Sequence, residues 1–162
     1  MAAEFNIKIS RLTWIRLVAE LYKRGKGRRE SGAFLLGKAG DREMRVEMFI
    51  CYDDLDPNAL SSGVVVFHGS GFSKLWEICE KKGLQVIADV HTHPTANVSQ
   101  SSIDKKFPTL PVQGHVALIL PKYGNTSIWS LAGVGMYLFQ GQGRWKSFFH
   151  DHPGAPISLH MW

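Results

Sequence analysis

Residues Leu84–Asp104 read L-Q-V-I-A-D-V-H-T-H-P-T-A-N-V-S-Q-S-S-I-D, and the rest of the chain is best read outward from them. Val86, Ile87 and Val90 are β-branched and crowd a short apolar run, so Leu84–His93 is predicted to be a strand. Pro94, which has no N–H for a ladder, ends it. Side chains at i and i+2 of a strand share a face, which sets His91 and His93 side by side, about 6.5–7 Å apart at Cα. Two imidazoles leaning together from that separation can meet one ion at the roughly 2.0–2.1 Å of a zinc–nitrogen bond. Pro94 turns the chain away, and the ten residues after it can bring back Asp104, on the first turn of a short helix predicted near Ser101. Asp89 has the same parity and competes as third ligand, but a straight strand separates it from His93 by about 13 Å, so Asp104 is preferred. An H-x-H on a strand also fits two hydrogen-bonded or exposed histidines. Three ligands with a fourth position left for water would instead be the arrangement of a catalytic zinc.

Upstream, apolar residues at Leu12, Ile15, Leu17, Val18, Leu21 and Tyr22 have helical spacing, so Arg11–Arg24 is predicted to be a helix. Ser10 is its expected N-cap, and Gly25 and Gly27 its end. Strands are expected at about Ala33–Gly37 and Glu43–Tyr52, where the alternation of Met44, Val46, Met48 and Ile50 predicts one buried face. Pro57 marks a polar connection before Val64–Phe67, a short β-branched run counted as a strand. Ser73–Lys82 reads as a second helix, with Phe72, Leu75, Trp76, Ile78 and Cys79 as its inner side and Gly83 as its stop. Further strands are expected at His115–Leu120, Thr126–Ala132 and Met136–Gln140. Seven or so strands and two substantial helices make the class α/β of the α+β type, rather than a sandwich.

The 162 residues, 44% hydrophobic and 20% charged, suit one domain spanning 1–162 with a real core, and argue against disorder. No apolar run reaches the roughly 18–20 residues that cross a bilayer, which speaks against a membrane protein. Met1–Lys8 holds Glu4 and Lys8 and lacks a long apolar core, so it does not read as a secretion signal, and a cytoplasmic location is expected. Cys51 and Cys79, far apart, are expected to be buried reduced thiols. The net charge of +5 owes much to Lys23, Arg24, Lys26, Arg28 and Arg29. That stretch reads first as a solvated turn after a helix, with contact to an acidic protein surface or nucleic acid as alternatives. No nucleic-acid module is visible, so nucleic acid is a minor reading. A second H-x-H-P at His150–Pro153 has no S-x-x-D after it and is expected in a C-terminal tail of about 150–162. His68 and His115 are expected to be structural.

Ser101 lies three residues before Asp104, and Glu30 lies far upstream in E-S-G-A-F-L-L-G. Alone, Glu30 would be an ordinary surface acid after Arg28 and Arg29. Together with the histidine stretch it resembles the JAMM (MPN-domain, JAB) metalloprotease family, whose pattern is an upstream glutamate, then H-x-H-P, six residues and S-x-x-D. Every required position is filled: Glu30, His91, His93, Pro94, Ser101 and Asp104. The match runs from Glu30 to about Leu120 and implies an MPN (cytidine-deaminase-like) fold, a mixed β-sheet flanked by two main helices, with motif core 30–120. It implies one catalytic Zn2+ on His91, His93 and Asp104, with Glu30 as general base and Ser101 as oxyanion donor. Ser102, rather than Ser101, is expected to cap the short helix.

The likeness is greatest to small stand-alone bacterial members, some encoded beside ubiquitin-like, E1-like and E2-like proteins in antiviral operons. It implies an isopeptidase or peptidase that cleaves after the C-terminus of a ubiquitin-like protein, deconjugating targets or trimming a precursor. The alternatives are an amidohydrolase acting on a small amide or sulfur-carrier precursor, and a non-catalytic MPN binding module.

Overall fold

Two strands, β2 (Gly32–Lys38) and β5 (Val116–Leu120), are apolar nearly throughout and buried on both faces, as strands in the middle of a covered sheet must be. Around them, in a computed structural model describing residues 6–38, 40 and 42–161, lie β1 (Asn6–Ser10), β3 (Glu43–Cys51), β4 (Gln85–Thr92), β6 (Gly135–Gly141), β7 (Arg144–Phe148) and β8 (Ile157–His160). The eight form one mixed sheet in the order β7-β6-β5-β4-β2-β3-β1-β8. The helices are α1 (Arg11–Gly25), a single turn α2 (Tyr52–Leu55), α3 (Gly69–Lys82) and a short α4 (Ser102–Lys106). Trp14, Leu17, Val18 and Leu21 of α1 pack with Leu35, Ala88, Val90 and Leu118 on one side of the sheet. Leu55 of α2 and Leu75 and Cys79 of α3 pack with Phe34, Leu36 and Ile50 in a second core. The mixed sheet with two main helices is the architecture expected from the sequence.

Ser10 caps α1 as expected, its hydroxyl accepting from Thr13 N–H at 3.1 Å. The helix closes at Lys26, which takes the left-handed conformation one residue past Gly25. Cys51 and Cys79 are buried free thiols, and burial pushes the Cys51 thiol up to about 12. Among the described residues, no helix is long and apolar enough to cross a membrane.

Several elements differ from expectation. The alternation in β3 does not mark one face. Leu36 pairs with Met48 but Gly37 with Val46, so Glu47 is an extra residue, and this bulge reverses parity along the strand. Met48 and Ile50 therefore join the α3-side core while Met44 and Val46 join the α1-side core. Tyr52 opens α2 rather than closing the strand. The second helix starts at Gly69, four residues earlier than expected, and Trp76 is not on its inner side: it is 46% exposed and stacks on Phe72 from outside. Val64–Phe67 is a loop: Val65 and Phe67 pack inward and Val64 and Val66 outward, which imitates a strand without a ladder. Thr126–Ala132 is also irregular, with Leu131 buried. Conversely β1, β7 and β8 are strands that the sequence reading passed over. The stretch expected to be a tail contains β8, which pairs in parallel with β1. Met1–Phe5 of the N-terminal stretch, and Trp162 of the tail, lie outside the described residues.

Candidate metal centre

β4 is bonded to β2 on one side, antiparallel, and to β5 on the other, parallel, so ladders on both flanks fix its end. Ala88 and Val90 belong to the α1-side core, which turns Asp89 and His91 to the opposite face. His93 continues the line because its N–H donates to the Leu120 carbonyl at 2.8 Å. His91 Nε2 and His93 Nε2 stand 3.2 Å apart. The Asp104 carboxylate oxygens lie 3.5 Å from the first and 3.4 Å from the second.

Ligand atoms at about 2.0–2.1 Å from a tetrahedral zinc are separated by about 3.3–3.4 Å along each edge. The three separations match that edge, and the two to Asp104 exceed the roughly 2.7–3.2 Å of an N–H···O hydrogen bond. The donor set fits a zinc ion with one corner open. Among the described residues, this is the one group of three or more His, Cys, Asp or Glu side chains so gathered. The Nδ1 of His93 lies 3.0 Å from the Asn97 carbonyl; donation there leaves the Nε2 lone pair for a metal.

Asp104 is delivered by its own helix cap. Ser101 Oγ accepts from Asp104 N–H at 3.1 Å, and Asp104 Oδ2 accepts from Ser101 N–H at 2.8 Å. Ser101, not Ser102, is thus the cap, because only from that position does the acid three residues on close the reciprocal pair. The hydroxyl oxygen of Ser101 is an acceptor here, so its hydrogen is left to donate elsewhere. Burial pushes the Asp104 carboxyl up, but His91, His93 and the Ser101 N–H outweigh it and hold the group far below the usual carboxylate range. Asp104 in turn raises His93, against the opposing effect of burial and with help from the Asn97 carbonyl and Glu30.

Glu30 stands two residues before β2, with Ser31 between. Gly32 pairs with His91, and Thr92 N–H donates to Ser31 O at 2.9 Å, so the same register sets Glu30 opposite His93. Glu30, His91 and Asp104 line one cleft of about 100 Å³, with Tyr52, Asp89 and Trp145 further along its wall. Gly32 is required here: a Cβ would lie 2.4 Å from the Tyr52 ring and 2.7 Å from the Val90 carbonyl.

Asp89 is committed elsewhere. It is 3% exposed, accepts from the Tyr52 hydroxyl at 2.9 Å, and pairs with His115 Nε2. Burial pushes its carboxyl up, yet His115, His91 and Tyr52 together hold it below the usual range. His115 is therefore structural, as expected, and His68 pairs with the buried Asp56. In the second H-x-H-P, His152 Nδ1 accepts from Gly154 N–H at 2.9 Å and shapes a turn.

Two residues that the sequence reading missed hold the ligand loop from the β6–β7 hairpin. The Tyr137 hydroxyl donates to the Val98 carbonyl at 2.6 Å, and Trp145 Nε1 donates to the Lys105 carbonyl at 3.1 Å. Gly135 lets that loop approach, since a Cβ there would stand 2.6 Å from the same Val98 carbonyl. Both acceptors are backbone groups, 39 and 40 residues away in sequence, so no spacing rule points to them.

A mixed sheet between two helices, with an open His–His–Asp cluster at the end of a central strand, defines an α/β domain of the JAB/MPN type. Residues 16–132 match the family described as prokaryotic homologs of the JAB domain. The chain belongs to that family. Two solution structures share its fold. A protein from Desulfitobacterium hafniense is 16% identical with a TM-score of 0.62, covering 95% of this chain and 92% of that one. A protein from Salinibacter ruber is 14% identical with a TM-score of 0.58, covering 93% and 95%. At such identities the likeness speaks for the fold alone. The wider JAB family includes the JAMM metalloproteases.

Proposed function

We propose that the chain is a zinc-dependent isopeptidase or peptidase that cleaves after the C-terminus of a ubiquitin-like protein. One observation carries the hydrolytic part of this reading. A donor triangle with tetrahedral-edge dimensions has two of its corners, His91 and Asp104, in the cleft that a separate carboxylate, Glu30, also lines. His91, His93 and Asp104 would hold a zinc ion, which would supply an acidified water and a Lewis acid beside the amide carbonyl. Glu30 then accepts a proton from the attacking water and returns it to the amine as the C–N bond breaks and the new C–O bond forms. The Ser101 hydroxyl donates its free hydrogen to the oxygen that gains negative charge. The ubiquitin-like substrate and operon partners of the E1-like and E2-like kinds belong to the same proposal and rest on the motif's resemblance; a cytoplasmic setting belongs to it too and is supported by the two free, buried thiols.

Metal analysis of the purified protein, together with a panel of ubiquitin-like fusions, isopeptide conjugates and small amides, tests it. One zinc per chain and cleavage of a ubiquitin-like substrate are expected, with Glu30→Gln abolishing turnover while zinc stays bound. Turnover of small amides only would favour the amidohydrolase alternative. A chain that takes up no zinc would be a binding module.

A further inference from the structure

Charge is distributed unevenly around this cleft. Between Glu80 and Asp151 the chain has two acids, Asp89 and Asp104, against seven lysines and arginines. Both acids are engaged, Asp89 with His115 and Tyr52 and Asp104 in the ligand cluster. Several cations lie close to the cluster along the chain or across a backbone hydrogen bond, outside the cleft's own lining. Lys105 and Lys106 directly follow Asp104 on α4, and both are exposed. Arg28, also exposed, stands two residues before Glu30. Lys122 is brought in because its N–H donates to the Thr95 carbonyl at 2.9 Å, while the next N–H, of Tyr123, donates to the His93 carbonyl at 2.8 Å.

Among the described residues, Arg28, Lys105, Lys106 and Lys122 make no ion pair, whereas cations elsewhere do: Lys8 with Glu43, Arg24 with Glu20, Asp53 and Asp54, and Lys81 with Glu77. Beside the rim lysines the surface is apolar. Ile103 and Phe107 are four residues apart on the α4 segment, line the cleft, and are 69% and 67% exposed.

We propose that this rim docks an acidic polypeptide segment: Asp or Glu side chains of the substrate meet Lys105 and Lys106 on one side and Arg28 and Lys122 on the other. An apolar residue between them rests on Ile103 and Phe107. This deepens the proposed peptide-cleaving function and rests on it for the word substrate. A nucleic-acid strand fits less well, since Glu30 and Asp104 line the cleft itself and would face its phosphates. It would also look for several exposed aromatics to stack on, and Phe107 is the one strongly exposed aromatic in the cleft. Unpaired cations flanking a cleft raise the local concentration of anionic partners and speed their encounter by about 10–1,000-fold at low salt. The advantage fades as the screening length falls from about 10 Å at 0.1 M salt to about 3 Å at 1 M.

Fluorescence anisotropy with two labelled peptides, alike except that four glutamates in one are four lysines in the other, tests the proposal on the purified full chain. The glutamate peptide should bind at least about tenfold more tightly at low salt, and the preference should shrink as salt is raised. Lys105→Glu with Lys106→Glu should erase it, and Arg28→Glu with Lys122→Glu should weaken it. Lys82→Glu, at the other end of β4, should leave it unchanged. Equal binding of the two peptides, a preference that survives the Lys105/Lys106 reversal, or tighter binding of a single-stranded oligonucleotide of matched charge would each overturn the proposal. Binding is read without turnover, so the two readings fail separately. A zinc-loaded, active protein with no acidic preference ends this one alone, and an acidic preference in a protein that neither holds zinc nor cleaves ends the proposed function.

Discussion

At the end of β4, Asp89, Val90 and Thr92 are at most 3% exposed and are laddered on both sides, whereas α4 is five residues long and buries none of its side chains. The first region supplies His91 and His93 to the cluster and the second supplies Asp104. Strand ladders and two cores hold the histidines whether or not anything is bound. Asp104 stands on a reciprocal cap, two hydrogen bonds from the β6–β7 hairpin and the cluster itself. A site divided this way has a rigid half that would set the position of a bound ion and a lightly anchored half that would complete its grip.

The largest expected effect separates ligation from stability. Asp104→Ala should lose zinc affinity well beyond the roughly 10–100-fold of removing an outer-shell partner. It should cost the zinc-free protein only about 1 kcal/mol, the worth of a helix cap. Isothermal titration and thermal melts of the same sample would show both, and a collapse of the zinc-free fold would break the contrast.

On the rigid side, Asp89→Asn removes one partner of a buried pair and should cost about 3–5 kcal/mol in denaturant unfolding. The acid dependence has a definite sign. Because the folded protein holds the Asp89 carboxyl below its ordinary value of about 3.9, its contribution is complete above that pH and is lost as pH falls through the lower folded value. Stability of the wild type should therefore drop below about pH 4, and that of Asp89→Asn should drop less over the same range. Parallel slopes for the two proteins would show that this pair does not carry the acid response.

Smaller again, Tyr137→Phe and Trp145→Phe each delete a single donor to the ligand loop and should weaken zinc binding by about tenfold. Chelator competition measures this, and unchanged affinity would mean that the hairpin does not tune the adjustable half. Smallest of all, Ser101→Ala should lower the stability of the zinc-free protein by about 1 kcal/mol, since α4 loses its cap. Ser102→Ala should leave it unaltered.

The same division governs what could be read from sequence. β4 was legible because β-branched residues and Pro94 state a strand and its end locally. Asp104 came through motif spacing and resemblance, and the capping box shows why that spacing exists: Ser101 at the cap and Asp104 three residues on are one hydrogen-bonded unit. The bulge at Glu47 was not legible, because an extra residue in a strand is defined only by the partner it fails to face. Val64–Phe67 misled for the converse reason, alternating inward and outward without a ladder beside it. β7 has alternating charges and β8 is short, so each becomes a strand only when its neighbour is in place. Tyr137 and Trp145 act on main-chain carbonyls, which leave no trace in side-chain patterns.

The pairing of β1 with β8 carries a kinetic consequence. Ile7 lies beside Ile157, about 150 residues away, so joining them closes a loop that includes almost everything between. Loop entropy growing as (3/2)RT ln n makes that closure cost about 4 kcal/mol more than a contact between neighbours, and few interactions reward it early. The edge made by these two strands should accordingly form last during folding and open first under hydrogen exchange, while the histidine-bearing strand at the centre keeps its protection.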